Sequence, residues 1–144
     1  MSQQGNVGRY DLTTGHSQLI KPVHPDGERL RFNWNAAIAQ DPFNDDAIYY
    51  GSQYVHYSID RGNNWTIISP DLTTNDKEKQ KQHESGGLTF DATGAENFTT
   101  ILAIEPSPLD RNVIWVGTDD GNLQLTRDGG KKWLNVGKKI FGAP

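Results

Sequence analysis

Short apolar runs bounded by turn residues recur along the chain and read as strands. Tyr54-Val55-His56-Tyr57-Ser58-Ile59 alternates, so a strand there puts Val55, Tyr57 and Ile59 on one face and Tyr54, His56 and Ser58 on the other. Val113-Ile114-Trp115-Val116 is apolar at successive positions, the pattern of a strand whose sheet is covered on both faces. Near the N-terminus, Val7-Gly8-Arg9-Tyr10 and Gln18-Leu19-Ile20 flank Asp11-Leu12-Thr13-Thr14-Gly15 and predict a hairpin. Lys21 to Arg31, with Pro22, Pro25 and Gly27, reads as a connecting loop.

The pattern repeats. Ala37 to Ser52 aligns without gaps on Ala103 to Thr118, an offset of 66 residues, and Ser58-Ile59-Asp60-Arg61-Gly62-Asn63-Asn64-Trp65 returns as Thr126-Arg127-Asp128-Gly129-Gly130-Lys131-Lys132-Trp133, an offset of 68. Both octets read Ser/Thr-x-Asp-x-Gly-x-x-Trp. That spacing predicts a tight turn in which the Asp carboxylate accepts backbone N–H bonds, the Gly supplies a positive φ, and the Trp opens the returning strand and packs inward. The octet folds the chain and by itself does no chemistry. Each copy then reads strand, Pro-containing turn, strand, short turn, strand, octet, strand: a four-stranded antiparallel meander, one propeller blade.

The octets resemble the Asp-box, or bacterial neuraminidase repeat, of sialidases, of xyloglucanase-type tandem propellers and of the sortilin N-terminal domain. The resemblance implies that Ser58, Asp60, Gly62, Trp65, Thr126, Asp128, Gly130 and Trp133 are structural and lie away from any active face. The block from Ser69 to Ile101, with Val116-Gly117-Thr118-Asp119-Asp120-Gly121-Asn122, is similar to large exported bacterial repeat proteins described as glycosyl-hydrolase-like or sortilin-like. From Gly8 to Val136 the likeness implies a secreted or periplasmic bacterial parent, and it carries no catalytic residue onto this chain.

Composition narrows the function classes. The 144 residues suit one domain, and 15 Gly with 4 Trp suit strands and turns packed by a few large aromatics. A net charge of -4 with both signs dispersed argues against a nucleic-acid partner, and no apolar run is long enough to span a membrane. With no Cys there is neither disulfide nor thiolate metal site. Met1-Ser2-Gln3-Gln4-Gly5 carries no signal-peptide core, which leaves a cytosolic chain or a start inside a longer parent.

Candidate chemistry lies in the insert between the two copies, residues 70–98, and in the turn that shares its face. Asn75-Asp76-Lys77-Glu78 has the form of a helix N-cap, so Asp76 to His83 is expected to form about two turns of helix. The run Lys77 to Glu84 reads as a solvated face. In an up-and-down blade the octet turns share one end with the first-to-second strand turns. The insert, Ser52-Gln53 and Asp119-Asp120-Gly121-Asn122 share the other, where loops carry function on a rigid scaffold. Asp71, Glu84, Asp91, Glu96, Asp119 and Asp120 are the acids a glycosidase would draw on, two of them roughly 5 to 9.5 Å apart. His83, Glu84, Asp119, Asp120 and Asn122 are the ligand-binding candidates. Asp119-Asp120-Gly121-Asn122 lacks the ligand ladder of a calcium loop and reads as a plain turn, and His56 has no partner at metal spacing and reads as a packing or hydrogen-bonding residue. No metal or cofactor is expected.

The reading is therefore an all-β propeller segment of about two and a half four-stranded antiparallel blades with one long inter-blade insert. It divides into a partial-blade hairpin (7–20), a blade (32–69), the insert (70–98) and a second blade (99–137), within a single segment (1–144). The expected role is binding or scaffolding, with a protein or glycan ligand on the insert face. A glycosidase-like hydrolase and a purely structural blade segment are the alternatives. Because closed propellers have four to eight blades, self-association or the remainder of a longer propeller is expected to cover the open ends.

Overall fold

The computed structural model describes residues 3–81, 84 and 97–137. Strands β1 (Gly8–Tyr10) and β2 (Ser17–Leu19) form an antiparallel hairpin. Strands β3 (Ile38–Gln40), β4 (Ile48–Gly51), β5 (Val55–Ser58) and β6 (Thr66–Ile67) form a four-stranded antiparallel sheet in chain order. Strands β7 (Ile101–Pro106), β8 (Ile114–Thr118), β9 (Leu123–Thr126) and β10 (Leu134–Asn135) repeat that meander. A 3-10 turn lies at Gln3–Gly5. The fold is all-β, as the strand patterns predict.

Register decides what each face meets. Tyr49 lies opposite Tyr57, and Tyr50 opposite His56, so each pair shares a face of the first sheet. Tyr49 and Tyr57 look toward the second sheet, where a core of Val55, Leu72, Ile101, Ile104, Ile114 and Val116 fills the seam. Tyr50 looks the other way, into a core with Val7, Ile20, Phe32 and Ala36, against which Trp65 packs. Phe32 stacks on Tyr50 at 5.4 Å and on His56 at 6.4 Å, so the 20–36 segment closes this face with an aromatic side chain rather than with strands. Strand β7 lies against β3 and β4. The approach is close at Gly51, where an added Cβ would stand 2.8 Å from Ile101 Cγ2; at Gly117, its equivalent in the repeat, the nearest atom is 3.8 Å away.

Two expectations are corrected. Val113 to Val116 was read as covered on both faces, and Ile114 and Val116 are indeed buried, but Trp115 is 38% exposed. Trp115 lies opposite Leu125, and Leu125 opposite Leu134, so the three share the face turned away from the first sheet; Leu125 is buried there, and among the described residues no third sheet lies against Trp115 and Leu134. The helix expected over Asp76 to His83 is replaced, within residues 76–81, by single turns. The backbone N–H groups of Gln80 and Lys81 donate to the carbonyls of Lys77 and Glu78, at 3.3 Å each, and that of Glu84 to the Lys81 carbonyl at 2.9 Å. So short a helix has too few bonds to offset its nucleation cost, and Gln80 is instead drawn to Asn75 Oδ1 and Thr99 Oγ1. Gln82 and His83 lie outside the described residues.

Candidate functional site

The connector between the sheets crosses one end of both. Leu72 N–H donates to Gln53 O (3.1 Å) and Ile101 N–H to Ser52 O (2.7 Å), which ties both ends of the connector to the β4–β5 turn. The side-chain amides of Asn122 and Gln124 reach back to Leu72 O, both at 3.0 Å. The described ends of the insert, Ser52-Gln53 and Asp119 to Asn122 thus share one end, as the meander geometry requires.

The acids on this face are heavily used. Asp71 accepts from Arg31 Nη2 (2.8 Å) and from both Thr73 N–H and its hydroxyl. Asp119 accepts from Asn33 Nδ2 (3.1 Å), Thr100 N–H (3.0 Å) and the Thr100 hydroxyl. Asp120 accepts from Thr74 N–H and its hydroxyl, both at 2.7 Å, and from the Thr118 hydroxyl. Each carboxylate has three of its roughly four acceptor sites filled by protein donors. They clamp the connector and the 31–33 segment onto the sheets. Asn122 Oδ1 accepts from Asn135, and Glu84 is exposed. His83, Asp91 and Glu96 lie outside the described residues. Asp119 to Asn122 forms a turn with Gly121 at φ 91°, and among the described residues no group of three His, Cys, Asp or Glu side chains is placed to hold a metal.

Sequence reasoning missed the partners of these acids. The Arg31–Asp71 pair, with side chains 12% and 19% exposed, joins residues 40 apart in sequence, and Arg31 Nε also holds Thr99 O. Gln53, fully buried, accepts from Arg31 N–H and donates to Glu28 Oε1 and Arg29 O. A glutamine in a tight turn was the one available signal. Beside this network, Glu28, Arg29, Arg31, Lys77, Gln80 and Asn97 line an open cleft of about 230 Å³.

At the opposite end the octets behave alike. Gly62 N–H donates to Ser58 Oγ (2.8 Å) and Asn64 N–H to Asp60 Oδ1 (2.8 Å). Gly130 N–H donates to Thr126 Oγ1 (3.0 Å) and Lys132 N–H to Asp128 Oδ1 (2.9 Å). The Asn64 side chain and backbone hold the Asp60 carboxyl down at about 2, and the Lys132 N–H lowers that of Asp128. Gly62 and Gly130 take φ of 85° and 97°. Each indole then stitches its sheet to the preceding element: Trp65 Nε1 donates to Ile20 O (2.7 Å) and Trp133 Nε1 to Ile68 O (3.0 Å).

His56 is fully buried, its Nε2 2.8 Å from Ser52 Oγ, and burial pushes its pKa down to about 4. It packs between Phe32 and Trp65, 6.4 Å from each ring, and serves the core.

Neither a protein-family model nor a curated protein sequence matches the chain. Among solved structures it is similar to the GH74 xyloglucanase from Xanthomonas campestris, at 15% identity and a TM-score of 0.54 over 90% of this chain. The GH74 enzyme of Niastella koreensis is also similar, at 14% identity and a TM-score of 0.38 over 94% of this chain. The chain spans 17% and 27% of those two proteins' lengths. The first likeness shows the fold. The chain is a β-propeller segment. Its two four-stranded meanders are neighbouring blades, and the β1–β2 hairpin stands beside the first blade in the place where a preceding one would stand.

Proposed function

We propose that this propeller segment is a binding and scaffold module of the Asp-box kind, sortilin-like or glycosyl-hydrolase-like in its architecture and belonging to a secreted or periplasmic bacterial parent. A glycan or protein ligand rests on the insert face. The observation that carries the reading is the triple hydrogen bonding of Asp71, Asp119 and Asp120, which spends these acids on fixing a long connector to two blades. Acids used in this way build a platform, whereas glycoside hydrolysis needs two carboxyls free to meet substrate. The polar cleft of Glu28, Arg29, Lys77 and Gln80 offers that platform hydroxyl-matching donors and acceptors.

Affinity electrophoresis of the whole chain in gels containing xyloglucan, mixed-linkage β-glucan or no polysaccharide tests the reading. Retardation by a glycan that Lys77→Ala/Gln80→Ala abolishes is expected. Equal mobility of variant and wild type in every gel overturns the glycan form of the proposal, and release of reducing ends from either polymer favours the hydrolase alternative.

A further inference from the structure

The seam between the two blades opens at the octet end into a cleft of about 300 Å³. Asp41, Phe43 and Tyr57 form one wall, and Arg111 and Asn112 stand on the other. Asp41 is only 7% exposed, yet its carboxylate accepts from neutral donors alone: Tyr57 Oη at 2.7 Å, Tyr49 Oη at 3.4 Å and Phe43 N–H at 2.8 Å. Among the described residues it has no ion-pair partner. The exposed Arg111 guanidinium lies 5.2 Å from the Phe43 ring centroid and, among the described residues, donates to no protein acceptor. One anion and one cation therefore face the same small space without being spent on each other.

The blade repeat acts as an internal control on what this arrangement is for. The octet, its glycine and its indole stitch recur in both copies because every blade needs them. The cleft residues do not recur: 66 positions on, Asp41, Phe43 and Tyr49 become Ser107, Leu109 and Trp115, and 68 positions on, Tyr57 becomes Leu125. The Asp41 set is therefore particular to the seam between the two blades. Burying a carboxylate without a cation is costly; Asp41 holds the two seam tyrosines and the Phe43 N–H, which leaves one of its roughly four acceptor sites for a donor from the cleft.

We propose that this cleft binds a single neutral sugar ring. Hydroxyls of such a ring donate to Asp41 and accept from Arg111 and the Asn112 amide, while its C–H face meets the aromatic wall of Tyr57 and Phe43. The volume is at the lower end of the roughly 300–1,000 Å³ of ligand pockets, which suits one ring rather than a chain. Asp41 repels an anion that Arg111 would attract, and Arg111 repels a cation, so the cleft selects a neutral partner. The site is separate from the insert face and does not rest on the reading given for that face.

The test is a titration of the whole protein with glucose, galactose or xylose, with glucuronate as the charged control, followed by backbone amide shifts. A neutral sugar is expected to saturate the amides of Phe43 and Asn112 in the millimolar range, with glucuronate weaker. Arg111→Ala, at an exposed position, is expected to weaken binding about tenfold at unchanged melting temperature, and Asp41→Asn to weaken it as well. Lys77→Ala/Gln80→Ala is expected to leave it untouched, which separates this site from the insert face. The proposal fails if none of the neutral sugars moves these amides by about 50 mM, if glucuronate binds best, or if Arg111→Ala binds as wild type does.

Discussion

Lowering the pH should weaken this fold through one residue, His56. The side chain is fully buried, Nε2 is engaged with Ser52 Oγ, and among the described residues Nδ1 has no partner to share a second proton with. Burial, with a smaller contribution from His24, pushes its pKa from 6.5 to about 4. Between those values the unfolded chain binds a proton that the native protein does not. Stability is then fully present above about pH 6.5 and falls as the pH drops toward 4. A shift of about 2.5 units at roughly 1.36 kcal/mol per unit gives a loss of about 3 kcal/mol, a large share of the roughly 5–15 kcal/mol of a typical domain. Urea melts of wild type and His56→Gln at several pH values between about 7.5 and 4 isolate it, because other titrating groups cancel in the difference. The wild type should lose about 3 kcal/mol more than the variant, nearly all of it below pH 6.5. Parallel pH slopes for the two proteins, or a native His56 ring signal titrating near its ordinary value, would refute the burial argument.

Two further expectations concern the seams. In Gly130→Ala the new Cβ would stand 2.5 Å from Ile68 O, at φ 97°, and break the seam that Trp133 stitches. Gly121→Ala, at φ 91° but in open space, adds backbone strain alone. The first variant should therefore be less stable than the second by about 1–3 kcal/mol in urea melts; equal losses would show that the contact with Ile68 does not matter. The open face of the second blade, with Trp115 and Leu134 38% and 60% exposed, should drive the chain to a dimer or trimer at micromolar concentration. Light scattering should then show Trp115→Arg as a smaller particle, and a wild-type monomer across the concentration range would contradict this.

What the sequence discloses here is what lies close together along it. The octet was legible because its hydroxyl, carboxylate, glycine and indole all act within eight residues, and a fixed spacing records that geometry. Even there, the destination of each indole, the Ile20 and Ile68 carbonyls, lies 45 and 65 residues away and leaves no local trace. The insert face was placed at the correct end by topology, and Asp119, Asp120 and Asn122 do meet the connector there. Their clamping role was hidden because the donors, Asn33 and Thr74, come from 86 and 46 residues away. The helix expected at Asp76 failed for the complementary reason: a local capping pattern was outweighed by the contact of Gln80 with Thr99, which only the folded chain supplies.

The same comparison of copies bears on the bare blade face. On the first blade, the face covered by its neighbour carries Tyr49 and Tyr57, whose hydroxyls are satisfied by Asp41. At the equivalent places on the second blade stand Trp115 and Leu125, with Leu134 beside them. This outward face, on which Leu125 is buried while Trp115 and Leu134 are exposed, is thus more apolar than the covered one. A sheet built to meet water on one side alternates apolar and polar residues, with the polar ones outward. Here the outward set reverses that rule apart from Glu105, and leaving a large apolar side chain bare forgoes about 1.5–3 kcal/mol relative to burial. Covering this face is therefore expected to stabilise the chain, with Trp115, the largest side chain on it and the counterpart of the more buried tyrosine of the seam, as the expected point of contact.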